Sequence, residues 1–297
     1  MKLLILGGSG MLGHKLWQVL SRDHETHVTL RDGFSRYAHL GIFDAKRAIP
    51  NVSAHDFDTV VRAIAVARPE VVVNCIGIIK QQAAAKDPLQ SIAINSLFPH
   101  QLAGLCQATG ARLIHISTDC VFSGRKGNYT EADAPDAEDV YGRSKSLGEA
   151  SGAGSLTVRT SIIGRELASS HGLIDWFLSQ EGKTIRGYQK AIFSGFTTLA
   201  LARIIGDIIE KHPHLDSLYQ VSAAPISKFD LLQLVKHIYG CKIQIEPDAA
   251  FLCDRSLNSD RFRTATGFLP PSWPEMIREM HQDPTPYQEI RRNYAHR

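Results

Sequence analysis

The 297-residue chain contains no CxxC pair, no HExxH and no histidine–cysteine cluster at metal-ligand spacing. Those absences leave no metal site to expect. Its five cysteines, Cys75, Cys106, Cys120, Cys241 and Cys253, are odd in number and widely spaced. That excludes a disulfide framework and fits reduced thiols in a cytoplasmic protein. No apolar run approaches the ~18 residues of a membrane span, and the N-terminal run is too short for a signal peptide. Charge of either sign is scarcely in excess, at +3 overall, so no acidic polymer is implied as a partner. Arg291, Arg292 and Arg297 gather near the end without interleaved aromatics, and read as a solvated tail rather than a nucleic-acid surface. Repeats and low-complexity tracts are also lacking. What remains is the composition of a soluble globule, 43% hydrophobic and 21% charged. The length suits one large α/β domain, or one domain with a smaller lobe, acting as a monomer or homodimer.

What is present is concentrated at the start. Residues 2–13 read KLLILGGSGMLG. Leu3 to Leu6 make a short buried strand, glycines follow at Gly7, Gly8, Gly10 and Gly13, and an amphipathic run from Met11 to Leu20 reads as a helix. A dinucleotide site needs this order. The glycines give a tight turn and let the backbone approach a pyrophosphate, and the helix N-terminus offers free N–H groups to the phosphates. Gly7, Gly10, Met11, Leu12 and Gly13 are the candidate contacts.

A second strand over residues 27–30 ends at Arg31-Asp32, about twenty residues after the glycines, where such folds handle the adenosine ribose. An acid there favours NADH and an arginine favours NADPH. With Arg31 at the strand end and Arg36 nearby the reading is NADPH, and a one-residue slip to Asp32 reverses it. Residues 51–54 suggest a third strand. Asp56 is a candidate N-cap for a helix over 57–67. The β-branched run 70–74 forms a buried strand ending in Asn74-Cys75-Ile76-Gly77, where small residues admit a cofactor. Residues 88–109 read as helix with Pro99 as a kink, and residues 112–117 as a strand with Ser117 and Thr118 at its carboxyl end. A helix over 141–150 and a strand over 156–160 follow. The alternation predicts a Rossmann-type doubly wound parallel sheet over residues 1–160. Residues 161–297 loosen into a smaller C-terminal α/β lobe for substrate, with chain exchange between the two.

Tyr141 and Lys145 stand four apart on one helix face. A phenol titrates near 10, too high for easy proton exchange, and a neighbouring ammonium lowers it. Tyr141 then protonates a carbonyl oxygen as hydride reaches carbon, Thr118 or Ser117 holds that oxygen, and Lys145 also holds the nicotinamide ribose.

These residues resemble the extended short-chain dehydrogenase/reductases, and within them the dTDP-4-dehydrorhamnose reductase-like family. The likeness is carried by GGSGMLG (7–13), VVVNCIG (71–77), STDCVFSG (117–124), EADAP (131–135), VYGRSK (140–145) and VRTSIIG (158–164). FSGFTTLALA (193–202), RSLNSDRF (255–262) and PPSW (270–273) extend it. The resemblance implies Thr118, Tyr141 and Lys145 as the catalytic trio, with Asn74, Cys75, Gly77 and Ser117 beside the cofactor. It implies Val121, Phe122, Thr197, Thr198 and Arg255 toward a nucleotide-sugar, the arginine facing its diphosphate. The activity it implies is NADPH-dependent reduction of a nucleotide-activated 4-keto-6-deoxy sugar for a cell-surface polysaccharide. Cys120 stands where the family often has tyrosine, Ser53 where an aspartate usually meets the adenine, and Ala137 in place of a proline. RTSIIGRE (159–166) resembles reductases and epimerases of other nucleotide sugars. An NAD-dependent UDP-sugar epimerase or dehydratase, with Asp119 as the added acid, is the alternative enzyme. The alternative outside catalysis is a regulatory subunit on the same fold, like the one that attends methionine adenosyltransferase.

Overall fold

The computed structural model describes residues 1–81, 83–168 and 170–295. Seven parallel strands form the main sheet: β1 (Lys2–Leu6), β2 (Glu25–Thr29), β3 (Ala48–Ile49), β4 (Val71–Asn74), β5 (Arg112–Thr118), β6 (Ser155–Thr160) and β7 (Ser217–Gln220). Their order is β7-β6-β5-β4-β1-β2-β3. The chain runs outward from β1 to β3, then returns to β4 on the other side of β1. A crevice therefore opens beyond the carboxyl ends of β1 and β4, where such sheets take ligands.

Leu3, Leu4, Ile5 and Leu6 are all fully buried, which is why β1 is uniformly apolar. On one face lie α1 (Gly13–Leu20) and α5 (Thr198–Lys211). On the other lie α2 (Phe57–Ala67), α3 (Phe98–Thr109) and α4 (Val140–Leu147). The chain re-enters the main sheet late. Thr198 to Gln220 supply α5 and β7, the latter parallel to β6, and the Arg112 guanidinium donates to the carbonyls of Ile208, His212 and Leu215. A boundary at residue 160 is thus crossed by chain that belongs to the sheet. The rest of the second half carries a two-stranded pair (Thr184–Tyr188 with Gln244–Asp248), a three-stranded sheet and the helix Lys228–Tyr239. Among the described residues no helix is long and apolar enough to cross a membrane.

One local expectation is corrected and two are met with altered detail. The third strand lies at Ala48–Ile49, not 51–54. Asn51 turns the chain with φ 58°, and the Thr59 hydroxyl captures the Ser53 N–H and carbonyl, so residues 51–54 are a turn. Asp56 takes the N-cap place of α2 without a capping bond from its carboxylate. The helical region over 88–109 is as expected, with its irregularity set before Pro99: Pro88–Ser91 leads into a widened π turn, Ile92–Leu97, and then α3, which begins one residue before Pro99. The widened turn absorbs the hydrogen bond that the proline ring cannot donate.

Arg291 is not part of a solvated tail. Arg291 pairs with buried Asp175 and donates to the Glu166 carbonyl; the Arg292 side chain and Arg297 lie outside the described residues. Just before it, residues 283–287 clasp α1. Lys15 is ion-paired with Asp283 and donates to Thr285 Oγ1 at 2.9 Å, and the Tyr287 hydroxyl lies 2.9 Å from His14 Nε2. His14 Nδ1 donates to the Gly10 carbonyl at 2.8 Å, and burial pulls its titration down to about 4, so the ring is neutral near pH 7. Removing one partner of a buried pair leaves the other charge without compensation. Asp283→Ala is therefore expected to lose about 3–5 kcal/mol of stability by urea denaturation. A loss under about 0.5 kcal/mol would show that the clasp carries no such weight.

Candidate active site

The first wall is the turn between β1 and α1. Gly7 has φ 82°, where a side chain is strained. A Cβ on Gly13 would stand 2.1 Å from the Gly7 carbonyl oxygen, so only glycine lets α1 start this close to the strand end. Gly10 donates its N–H to the same carbonyl at 3.1 Å. Leu12 is buried and Met11 half-buried, its sulfur near Gly172. At the end of β2, Arg31 stands exposed. Asp32 is engaged by its neighbours: it accepts from the Tyr37 hydroxyl at 3.0 Å and lies 3.5 Å from Arg36.

The second wall follows β4. Asn74 is fully buried, donates to His115 Nδ1 at 3.0 Å and accepts from the Ile76 N–H. Burial pushes the Cys75 thiol up to about 12, so it is no thiolate near pH 7. Gly77 lies against Lys145; a Cβ there would come 3.9 Å from Nζ.

The third wall brings Thr118 and Tyr141 together. Thr118 ends β5; its hydroxyl acts on the Tyr141 phenol in the direction that favours ionisation, donates to Asp119 Oδ1 at 3.1 Å and accepts from the Cys120 N–H. Helix α4 starts at Asp139, whose carboxylate caps the Gly142 N–H at 2.7 Å and takes the Lys80 ammonium at 2.6 Å. Two glycines let this helix sit where it does. A Cβ on Gly142 would meet the Cys120 carbonyl at 2.3 Å, and one on Gly148 would meet the Asn95 carbonyl at 1.8 Å. Asn95, in the π turn, accepts from the Ile78 N–H and donates to Ser144 Oγ, joining the loop after β4 to α4. Its role was invisible in the sequence, where no motif marks it.

Lys145 Nζ donates to the Ile116 carbonyl at 2.9 Å, and burial draws its titration down to about 8 against the opposing field of Glu149. The expected lowering of Tyr141 is not seen in this state. Burial raises the phenol first, and the neighbouring Cys120 and Asp119 reinforce the rise over the contrary pull of the Thr118 hydroxyl. Of the two candidate hydroxyls, that of Ser117 is committed elsewhere: it donates to Glu149 at 2.7 Å.

The residues expected toward substrate fall differently. Val121 and Phe122 are fully buried, Phe122 stacked on Tyr129 at 4.1 Å between ring centres. Thr197 is buried and caps α5 through the Ala200 N–H, and buried Thr198 packs on Gly164. Arg255 does reach the site, donating to the Phe122 carbonyl at 2.7 Å beside Asp119 and Cys120. A cavity of about 370 Å³ opens farther out, lined by Gln81, His171, Trp176, Arg186, Tyr188 and Lys228. Sequence reasoning missed it, because its lining comes from four separated segments. Among the described residues no group of three or more His, Cys, Asp or Glu side chains is gathered to hold a metal ion.

Strand order and a glycine turn of this kind define an NAD(P)-type Rossmann protein of the extended short-chain dehydrogenase/reductase class. The chain belongs to the family described as the RmlD substrate binding domain, whose model matches residues 1–284. It is 36% identical over 147 residues to a dTDP-4-dehydrorhamnose reductase of Streptomyces griseus, covering 49% of this chain and 43% of that protein. The matches to the first four such curated relatives span about half their length, 43–53%. Among solved structures, a hypothetical dTDP-4-dehydrorhamnose reductase from Sulfolobus tokodaii superposes with TM-score 0.75 at 26% identity, over 92% of this chain and 98% of that one. The enzyme of that name from Bacillus anthracis, in complex with NADP, gives TM-score 0.76 at 24% identity, over 94% and 97%.

If the Gly13–Gly7 contact shapes the dinucleotide cradle, Gly13→Ala should weaken NADPH binding by about tenfold or more, some 1.4 kcal/mol. Fluorescence titration measures this, with circular dichroism showing the sheet intact. Unchanged affinity would move the pyrophosphate away from this turn.

Proposed function

We propose that the chain is an NADPH-dependent reductase of a nucleotide-activated 4-keto-6-deoxy sugar. The observation that carries this reading is the meeting of Thr118, at the carboxyl end of β5, with α4, which bears Tyr141 and buried Lys145, the latter tied to the Ile116 carbonyl of that same strand. The residues present suit a dinucleotide. Gly7, Gly10 and Gly13 leave room for its pyrophosphate at the N-terminus of α1. Exposed Arg31 is free of the ties that hold Asp32, and an arginine suits the 2′-phosphate of NADPH. The Bacillus anthracis relative, whose structure contains NADP, supports the same choice. Asn74, Cys75, Gly77, Ser117 and Lys145 flank the nicotinamide side. NADPH, when bound, supplies the hydride.

The protein's own residues supply the proton and the alignment. Tyr141 gives its phenolic proton to the sugar carbonyl oxygen. Thr118 turns its hydroxyl to that oxygen and so orients it. A phenol kept protonated by burial is a donor at neutral pH, as the reductive direction requires. Lys145, anchored on the Ile116 carbonyl, presents its charge to the ribose hydroxyls and to the phenolate formed as the proton leaves. Arg186 and Lys228, with Trp176 and Tyr188, give the outer cavity the cations and ring faces that suit a nucleoside diphosphate. Arg255 is the inner cation. The relatives named as dTDP-4-dehydrorhamnose reductases support the sugar class, and with it a role in polysaccharide synthesis. The five unpaired cysteines support work in a reducing compartment such as the cytoplasm.

An absorbance screen of dTDP-, GDP- and UDP-linked keto sugars with NADPH and NADH tests the assignment. NADPH consumption with one nucleotide series is expected. Sugar interconversion without net consumption would assign an epimerase instead. Tyr141→Phe should lower turnover by about 10²–10⁴-fold while NADPH binding persists. Full activity in that variant would remove Tyr141 from the chemistry.

A further inference from the structure

Behind the Thr118–Tyr141–Lys145 group lies an ion pair to which the proton-transfer scheme gives no task. Glu149, four residues beyond Lys145, accepts from Arg159 Nε and Nη2, both at 2.6 Å, and from Ser117 Oγ at 2.7 Å. The Arg159 and Glu149 side chains are 5% and 8% exposed. Arg159 also lies 5.2 Å over the Phe122 ring, which fixes the guanidinium from the far side. Pairs this deep add little stability, since apolar replacements of like volume often serve as well. Their charge, however, is felt at short range.

The groups that face Lys145 narrow what that charge acts on. Glu149 comes from the turn just past the helix that bears Lys145: its carboxylate is held by Ser117, while Lys145 Nζ is held by the carbonyl of the adjacent Ile116, so the two charges are anchored on neighbouring residues of β5. Cys75 comes from beyond the end of β4 and His115 from β5. His100, on α3, stands behind His115. Tyr141 and Cys75 are held protonated by burial, and His115 is held neutral by burial and by the Lys145 charge. Glu149 is therefore the carboxylate whose field holds the Lys145 ammonium against the cost of its burial. Arg159 cancels part of that field, and Ser117, on the strand that also ends in Thr118, ties the carboxylate to the site.

We propose that Glu149 is a positioning residue that keeps Lys145 charged, and that Arg159 and Ser117 set how strongly it does so. Its effect on turnover rests on the reductase reading; its effect on the Lys145 charge does not. A merely structural pair would make either substitution harmful in the same way. A charge-setting pair makes them opposite: losing Glu149 removes the field that favours the ammonium, and losing Arg159 leaves that field uncancelled.

The full chain labelled with ¹³C at the lysine ε-carbons allows the test, with the Lys145 resonance assigned by its loss in Lys145→Met. Wild-type Lys145 is expected to titrate at about 8. In Glu149→Gln the midpoint should fall by about one unit, and in Arg159→Gln it should rise. Arg159→Lys should restore the wild-type midpoint. The alkaline limb of kcat/KM should move in the same order. Midpoints that stay put, or that shift the same way in both variants, overturn the proposal. Should Glu149→Gln not fold, the direction of the Arg159→Gln shift decides alone. Opposite shifts in a protein that reduces no keto sugar would sustain the proposal and overturn the reductase reading.

Discussion

Helix α1 begins so close to the end of β1 that residue 13 has space for a hydrogen and nothing larger. The Gly7 carbonyl occupies the place where a methyl group would go. This one close approach fixes several things together. It aims the free N–H groups of the first helical turn across the crevice between β1 and β4. It puts His14 within reach of the Gly10 carbonyl, so the turn and the helix hold each other. It also presents Lys15 to the clasp formed by residues 283–287.

A second pair of glycines does the same for the chemistry. Gly142 lets α4 lie against the Cys120 carbonyl and Gly148 lets it lie against Asn95. Between those two contacts the helix has no freedom to rotate, and so the phenol of Tyr141 meets Thr118 while Lys145 turns inward to the Ile116 carbonyl. The π turn belongs to this arrangement. It brings the Asn95 amide to both the Ile78 backbone and Ser144, which a regular helix through Pro99 has no means of doing.

What could be read beforehand was local or periodic. The strand, glycine turn and helix at residues 2–20 lie in one continuous stretch, as do Tyr141 and Lys145, and the β-α alternation predicted the sheet. What was hidden depends on partners far away in the chain. Nothing near Ser117 shows that Glu149 takes its hydroxyl, and nothing near Thr197 separates a helix cap from a substrate contact. The run at 51–54 looked extended until Thr59 closed it into a turn. The strand Thr184–Tyr188, which pairs with Gln244–Asp248, has weak alternation because most of its residues stay wet. Lys145 was expected to draw the Tyr141 phenol down; burial raises it instead, an effect of surroundings that spacing does not contain.

The clasp on α1 has a consequence in time. Residues 283–291 leave the ribosome after everything they grip, so while the chain is being made, Lys15 has no counter-charge and Asp175 lacks the Arg291 side of its pairing. A nascent chain that already holds all seven strands still carries an uncompensated ammonium on its first helix. A chain that stops before residue 283 therefore keeps that defect, seated next to the glycine turn.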